Sequence, residues 1–242
     1  MQEKIKIITI KNYQNSILED YFKDNENIRF LELASNENVE KFNNNISGND
    51  IIFLRTNEEN IEKLLEIGKA LKEKGIIIAT VLEEKIVMKN KEVLENSINA
   101  IFPVTKKEDI ENLLLEIIKM VSNIAFEDGF INLDFEDIKS ILKDSGIAIF
   151  GSLNIKKQII EKELINNVNY PFHNKTLKDS KKILIHLDAL QGTGMAEGQL
   201  ITDILRNESG KKIEDIMFSL RIDNNLKNRI ECSFVAGKFR NE

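Results

Sequence analysis

The sequence is poor in residues that cross-link a chain or bind soft metals. Among 242 residues it has one cysteine, Cys232, and two histidines, His173 and His186. A single cysteine excludes an internal disulfide, and these three side chains do not complete a tetrahedral zinc site. We therefore expect no metal and a reducing, cytoplasmic environment.

Proline, glycine and long hydrophobic runs are also scarce. Two prolines and 11 glycines exclude collagen-like and mucin-like chains, while 42% hydrophobic and 31% charged residues are typical of a folded protein. No run approaches the ~20 apolar residues of a membrane helix, and the N-terminus has no signal-peptide core, so we expect no export. The net charge of −6 gives no attraction to a polyanion, which excludes nucleic acid as the expected partner.

The first half alternates β-branched runs with amphipathic segments, which predicts a parallel sheet covered by helices. A helix around 61–71 is predicted to end at a left-handed Gly75, and a long helix is predicted over 108–125. The predicted strands are 4–10, 28–33, 50–54, 75–81 and 100–104.

After Gly129 the pattern predicts a smaller α/β unit with a mixed sheet. Its last two strands, 215–222 and 229–235, are predicted to be antiparallel neighbours, and further strands are predicted at 146–150 and 182–187, with helices at 155–166 and 197–206. The predicted division is a Rossmann-like domain at 1–105, a central helix and connection at 106–128, and a second domain at 129–242.

The segment Gly129-Phe130-Ile131-Asn132-Leu133-Asp134-Phe135-Glu136-Asp137-Ile138 follows the long helix. It resembles the synergy loop of the tubulin/FtsZ family, which has the form G-x-I-N-L-D-F-x-D-[VI]. The strands at 146–150 and 182–187 and the final pair of strands also resemble that family in order. The resemblance extends from about residue 122 to residue 239 and is only topological before that.

In that family the nucleotide lies in one subunit and the loop aspartates come from the next. The resemblance therefore implies that Asn132, Asp134 and Asp137 act in trans, where an acceptor oxygen orients water towards a γ-phosphate. Spacing alone favours a structural interpretation, in which Asp134 is a helix N-cap and Asp137 its partner three residues on, and the surrounding match with Gly129 and Asn132 reverses that preference. Both roles can coexist.

The glycine-rich turns that cradle phosphates in the family have no counterpart in the first half. The turns after the first and third strands, 11–15 and 55–60, contain no glycine. Glu58 and Glu59 lie at a helix start, where a bound phosphate would be placed. A carboxylate and a phosphate about 4 Å apart repel by about 4 kcal/mol at an effective dielectric of 20. That exceeds the helix-terminus attraction of roughly 0.3 to 1 kcal/mol, so we expect no bound cofactor and no autonomous GTPase.

Three other features have a chemical interpretation beside a structural one. Gly192, Thr193 and Gly194 form a short G-x-G turn before a helix, but the turn has no lysine and is followed by Glu197, so phosphate binding is the less favoured interpretation. His186 and Asp188 share one strand face, which fits a hydrogen-bonded histidine better than an acid-base pair. Cys232 fits a small core residue better than a reactive thiol.

The resemblance implies a cell-division protein that binds FtsZ through the loop as a cap or regulator and contributes to hydrolysis in trans. The alternatives are an autonomous GTPase with a rebuilt site and a cytoskeletal protein that self-assembles as a homo-oligomer without nucleotide. The expected location is the cytoplasm, at the division septum. The family's tail that binds membrane anchors has no match before Glu242, so direct membrane attachment is not expected.

Overall fold

The computed structural model describes residues 4–10, 17–34, 36–37, 39–42, 46–48, 50–56, 58–167, 177–178, 180–192, 195–210, 215–227 and 229–239, with the side chains of 39, 42 and 165–167 excepted. The chain divides into two compact units. The first comprises Met1–Lys119 and Leu142–Ile147, and the second comprises Met120–Ile141 and Ala148–Glu242.

Within its described residues, the first unit contains a parallel sheet of six strands in the order β2-β1-β3-β4-β5-β6. The strands are β1 (Ile5–Ile10), β2 (Ile28–Leu33), β3 (Ile51–Arg55), β4 (Ile77–Glu83), β5 (Ala100–Val104) and β6 (Gly146–Ile147). Every residue of β1, β3 and β5 is buried, as expected for parallel strands covered on both faces. The predicted α/β fold with a parallel sheet is confirmed.

The helices of the first unit include the two that the apolar spacing predicts, around 61–71 and over 108–125, and three that it did not predict. They are α1 (Ile17–Phe22), α2 (Ile61–Glu73), α3 (Glu84–Lys89), α4 (Lys91–Ser97) and the first part of α5 (Ile110–Phe126). Helix α2 ends at Glu73, and Gly75 just beyond it has the predicted left-handed conformation, with a φ of 77°. The N–H groups of Gly75 and Ile76 donate to the carbonyls of Lys72 and Leu71, which satisfies the last turn of the helix.

The described part of the second unit has a mixed sheet in the order β7-β10-β8-β9. Its elements are α6 (Phe135–Leu142), β7 (Ile149–Lys156), α7 (Ile160–Asn167), β8 (Lys182–Ala189), α8 (Met195–Ser209), β9 (Asp215–Ile222) and β10 (Arg229–Gly237). Strand β10 is antiparallel to both of its neighbours, whereas β8 and β9 are parallel.

Two details of the strand prediction are wrong. The final strands β9 and β10 are not neighbours, because β10 lies between β7 and β8. Strand β10 is largely buried while β9 is largely half-buried, so burial favours β10 in the interior of the sheet and β9 at its edge. The predicted strand at 146–150 is also divided, since Gly146 and Ile147 pair with β5 and the next strand begins at Ile149.

The sequence predicts no membrane-spanning helix. Among the described residues, no helix combines the length and the apolar character needed to cross a membrane.

Candidate functional site

The loop with the family-like motif connects α5 to α6 within the second unit. The rings of Phe126, the last residue of α5, and Phe135, the first residue of α6, pack with their centroids 5.9 Å apart. This contact closes the base of the loop, so that residues 127–134 emerge from a fixed stem. Phe130 in the middle of the loop is 66% exposed.

Strand β9 holds this loop through the backbone of one residue. The carbonyl of Leu220 accepts the N–H groups of Phe130 and Ile131 at 2.7 and 3.0 Å, and the N–H of Leu220 donates to the carbonyl of Ile131 at 3.0 Å. The loop therefore adds a single antiparallel bridge to the edge of the second sheet. An edge strand presents unpaired backbone groups, and the loop satisfies those of Leu220.

Gly129 allows the chain to approach this edge closely. A Cβ atom at Gly129 would lie 2.8 Å from Asn132 Oδ1 and 3.0 Å from the carbonyl oxygen of Leu220. The Gly129 N–H also donates to Asn132 Oδ1 at 2.8 Å. Glycine at this position and asparagine three residues later thus form one turn, which explains why both belong to the motif.

Asp134 and Asp137 form a reciprocal cap at the start of α6. The N–H of Asp137 donates to Asp134 Oδ1 at 2.8 Å, and the N–H of Asp134 donates to Asp137 Oδ2 at 2.9 Å. The structural role that the spacing predicted is confirmed. The role in hydrolysis stays a prediction.

The three predicted site residues lie together on one turn and the following helix start. Asn132 and Asp134 are exposed and Asp137 is half-buried. The Nδ2 group of Asn132, Oδ2 of Asp134 and Oδ1 of Asp137 have no hydrogen-bond partner within the described part of the chain. These atoms remain available to orient a water molecule or a ligand.

The turns that correspond to the family's nucleotide site lie at the carboxyl ends of the strands in the first sheet. The order of the strands reverses at β1 and β3, and ligands of open α/β sheets bind at such a point. The turn after β1 lies outside the described residues, as does Asn57. The turn after β3 contains Arg55, which is buried and whose Nε lies 2.5 Å from Glu111 Oε1.

Glutamates surround the start of α2. Glu58 and Glu59 form a short 3-10 turn directly before the helix, and Lys85 bridges Glu58 and Glu83 at 3.3 and 3.4 Å. The hydrogen bonds and charges of these two glutamates raise the pKa of Lys85 above its ordinary value. A cavity of about 360 Å³ lies here, lined by Glu58, Glu59, Ile61, Glu62, Lys85, Ile86, Lys89 and Asn90.

The glycine turn of the second candidate is only partly described. Gly192 has a φ of 89°, while Thr193 and Gly194 lie outside the described residues. Lys157 Nζ donates to the Gly192 carbonyl at 3.4 Å and lies 2.8 Å from Glu197 Oε1. No local sequence signal points to this lysine, because it lies 35 residues before Gly192 in the chain.

His186 and Cys232 are core residues, as predicted. His186 is buried, with Nδ1 2.8 Å from Ser219 Oγ and Nε2 3.4 Å from Asp188 Oδ1. The neighbouring strand thus supplies Ser219 and also Arg221, whose Nε donates to Asp188 at 2.5 Å. Cys232 is buried as well, and its desolvation raises the pKa of the thiol to about 12.

Sequence comparison finds FtsZ proteins at low identity, and no protein-family model matches the chain. Cell division protein FtsZ 1 of Pyrococcus woesei is 23% identical over 127 residues, which are 52% of this chain and 34% of the relative. FtsZ 1 of Methanocaldococcus jannaschii is 21% identical over 238 residues, with 86% of this chain and 65% of the relative covered. The chain therefore spans about a third of the length of the first of these relatives.

Solved structures share the fold over most of the chain. An empty FtsZ dimer from M. jannaschii has a TM-score of 0.75 at 14% identity and covers 98% of this chain and 89% of that chain. A GTPγS-bound protofilament of CetZ2 from Haloferax volcanii has a TM-score of 0.61 at 11% identity, with 84% and 70% covered. The shared fold and the low-identity sequence similarity to FtsZ confirm the predicted resemblance of this chain to the tubulin/FtsZ family.

Proposed function

We propose that this protein docks its loop of residues 127–137 onto the nucleotide face of an FtsZ subunit and caps or regulates the filament. The observation that carries the proposal is the contrast between the two surfaces. The loop keeps its turn, its cap and its exposed oxygens. The turn after β3 has no glycine and leads into Glu58 and Glu59.

The charges near β3 support the proposal that this protein has no GTP site of its own. A phosphate at the start of α2 would meet the carboxylates of Glu58 and Glu59, and Arg55, a buried cation at the end of β3, already forms an ion pair with Glu111. Phosphate cradles in open α/β sheets are built from glycine backbone amides at a helix N-terminus. Carboxylates at that place oppose binding of a nucleotide.

A subunit with one competent face has a defined effect on a filament. Filaments grow by a heterologous contact that pairs two unlike faces and repeats in one direction. A protein that offers only the loop face joins one end and gives the next subunit no face to bind. Capping therefore follows from the loss of one face. In the docked state, the second carboxylate oxygens of Asp134 and Asp137 would accept hydrogen bonds from the water that attacks the partner's GTP, and Asn132 Nδ2 would donate to the bound nucleotide.

The test combines filament sedimentation with GTPase assays on FtsZ from the same organism. Substoichiometric amounts of this protein are expected to reduce the pelleted FtsZ and to change its rate of GTP hydrolysis. Asp134→Asn and Asp137→Asn keep an oxygen that accepts the capping hydrogen bond and remove the charge, so they separate docking chemistry from folding. Unchanged pelleting and hydrolysis at equimolar protein would reject the proposal.

A second candidate, self-assembly, is supported by the protofilament that CetZ2 forms in its solved structure. In self-assembly the loop would dock onto a second copy of the protein, at the carboxyl ends of the strands in its first sheet. Asp134 and Asp137 would then approach Glu58 and Glu59 of that copy, and repulsion between these carboxylates disfavours the contact at low salt. Self-assembly would be supported if the light scattering of the pure protein rises with protein concentration and does not change when GTP is added. Micromolar binding of GTP in calorimetry would instead select an autonomous GTPase.

The proposed place of action is the cytoplasmic face of the division septum, where FtsZ filaments would be bound. A fluorescent fusion is expected to form a band at midcell that disappears when FtsZ is depleted. A diffuse signal in dividing cells would contradict this location.

A further inference from the structure

The loop is attached to the sheet through one residue, Leu220, whose two neighbours both enter a buried polar cluster. The Leu220 side chain belongs to the core of the second unit, and Ile131 packs against the same core. Because side chains alternate along a strand, Ser219 and Arg221 point to the opposite face. They meet His186 and Asp188 of the adjacent strand β8 there.

Arg221 and Asp188 form the strongest contact of this cluster. Arg221 Nε donates to Asp188 Oδ1 at 2.5 Å, and the side chains are 26% and 10% exposed. A hydrogen bond between two ionised groups in a partly desolvated place is stronger than a neutral one. It ties β9 to β8 directly beside the residue that carries the loop.

Arg221 also interacts electrostatically with the stem of the loop. Burial acts to lower the pKa of Arg221, but the hydrogen bond to Asp188 and the charges of Asp188, Glu127 and Asp223 raise it above its ordinary value. Glu127 directly follows the last residue of α5, where the loop begins. The guanidinium thus attracts a carboxylate on the loop stem while its Nε is bound to the sheet.

We propose that Arg221 and Asp188 are positioning residues that fix the place of the 127–132 loop on the edge of β9. Leu220 is bonded to the loop on its backbone and to the core through its side chain. The Arg221–Asp188 ion pair beside Leu220 prevents β9 from shifting along β8 or twisting relative to it, and either movement would displace the loop. The consequence for filaments rests on the proposed function, whereas the positioning itself does not.

Hydrogen exchange of the isolated protein tests the positioning without any partner. In Arg221→Gln we expect the amides of Phe130, Ile131 and Leu220 to exchange at least about tenfold faster, while amides in the centre of β8 and β10 keep their protection. Arg206→Gln is the matched control, because Arg206 forms an exposed ion pair with Asp203 on α8 at 3.9 Å. Unchanged exchange of the three amides in Arg221→Gln would overturn the proposal.

Two further variants keep the test decisive if Arg221→Gln fails to fold. Arg221→Lys retains a charge opposite Asp188 and is expected to give intermediate exchange at the three amides. Asp188→Asn is expected to reproduce the Arg221→Gln pattern. Uniformly faster exchange throughout the second unit in both would show a general stabilising role and reject positioning.

Fluorescence gives an independent signature, since the sequence has no tryptophan. The variant F130W places a single indole at the exposed centre of the loop. Combined with Arg221→Gln, it is expected to show a larger fast component of anisotropy decay than F130W alone. If F130W gives the same decay with and without Arg221→Gln, the loop is not positioned by Arg221.

Filament assays then separate the two ideas. Faster loop motion in Arg221→Gln together with a weakened effect on FtsZ would support both. Faster loop motion with no effect of the parent protein on FtsZ would leave positioning intact and reject the proposed function. A normal loop with a normal effect on FtsZ would reject positioning alone.

Discussion

Asp134 and Asp137 cap each other at the start of α6: each accepts the backbone N–H of the other, at 2.8 and 2.9 Å. Each carboxylate thereby uses one oxygen for the helix, and its second oxygen has no hydrogen-bond partner among the described residues. The motif is therefore a structural element as well as a candidate for chemistry in trans. A variant must separate these roles before any loss of function is assigned to catalysis.

Removal of the cap should destabilise the second unit measurably. We expect Asp134→Ala to lower the free energy of unfolding by about 1 kcal/mol, because the N–H of Asp137 loses its acceptor. Asp134→Asn should stay close to the parent, since asparagine is an equally good cap. Urea unfolding followed by circular dichroism measures both, and equal losses in the two variants would contradict the capping role.

Gly129 should tolerate no side chain. We expect Gly129→Ala to lower the free energy of unfolding by about 1 to 3 kcal/mol, because its Cβ would lie 2.8 Å from Asn132 Oδ1 and 3.0 Å from the Leu220 carbonyl. Gly48→Ala is the control, since a Cβ there meets nothing within 4 Å. The same urea titration applies, and a neutral Gly129→Ala would show that the loop is not held closely on β9.

The sequence predicted the elements better than their order. The parallel sheet of the first unit follows from runs such as β1, in which even Lys6 and Thr9 are buried. The placement of β10 between β7 and β8 depends on which strand buries more surface, and a short connecting turn suggests the opposite arrangement. Chain proximity thus predicts neighbours only where burial agrees with it.

The candidate site was predictable in part. Asn132, Asp134 and Asp137 could be found because they lie within six residues of one another and fit a known motif. The partner of Arg55 is 56 positions away at Glu111, and Asp188 meets Arg221 across two strands. Such pairs arise from strand register and helix placement, for which a single sequence carries no local signal.

Acid should weaken the second unit through Asp188. Burial opposes ionisation of this side chain, but the nearby His186 and Arg221 hold its pKa below the ordinary value. A folded-state pKa below the unfolded one, about 3.9, contributes stability above that pH and loses it as the pH falls through the folded value. We expect the melting temperature of the parent to fall steeply below about pH 4.

Asp188→Asn is the matched variant for that measurement. It should melt at a lower temperature than the parent at pH 7 and show a flatter dependence between about pH 4 and pH 2, because the group that titrates is absent. Parallel curves for parent and variant over this range would show that Asp188 does not contribute to the acid dependence.

Cys232 should be unreactive in the native protein. Its thiol has a pKa of about 12 because of desolvation, so only about one molecule in ten thousand carries a thiolate at pH 8. Ellman's reagent is expected to report no thiol in the folded protein and one per chain in guanidinium chloride. Rapid reaction of the native protein would contradict the placement of Cys232 in the core.

Phe130 should act as an anchor of the docking surface. It is 66% exposed in the middle of the loop, and its backbone N–H is bonded to Leu220, so the ring is presented on a fixed support. Exposed aromatic side chains on rigid supports dominate many interfaces, and truncation of such an anchor costs about 2 kcal/mol or more of binding free energy.

We therefore expect Phe130→Ala to weaken cosedimentation with FtsZ by at least about tenfold, while its free energy of unfolding stays within about 0.5 kcal/mol of the parent. Met88→Ala in the first unit is the control and should leave cosedimentation unchanged, since the Met88 side chain is 59% exposed on α3, away from the loop in sequence. Equal binding by Phe130→Ala and the parent would show that the acidic residues alone make the contact.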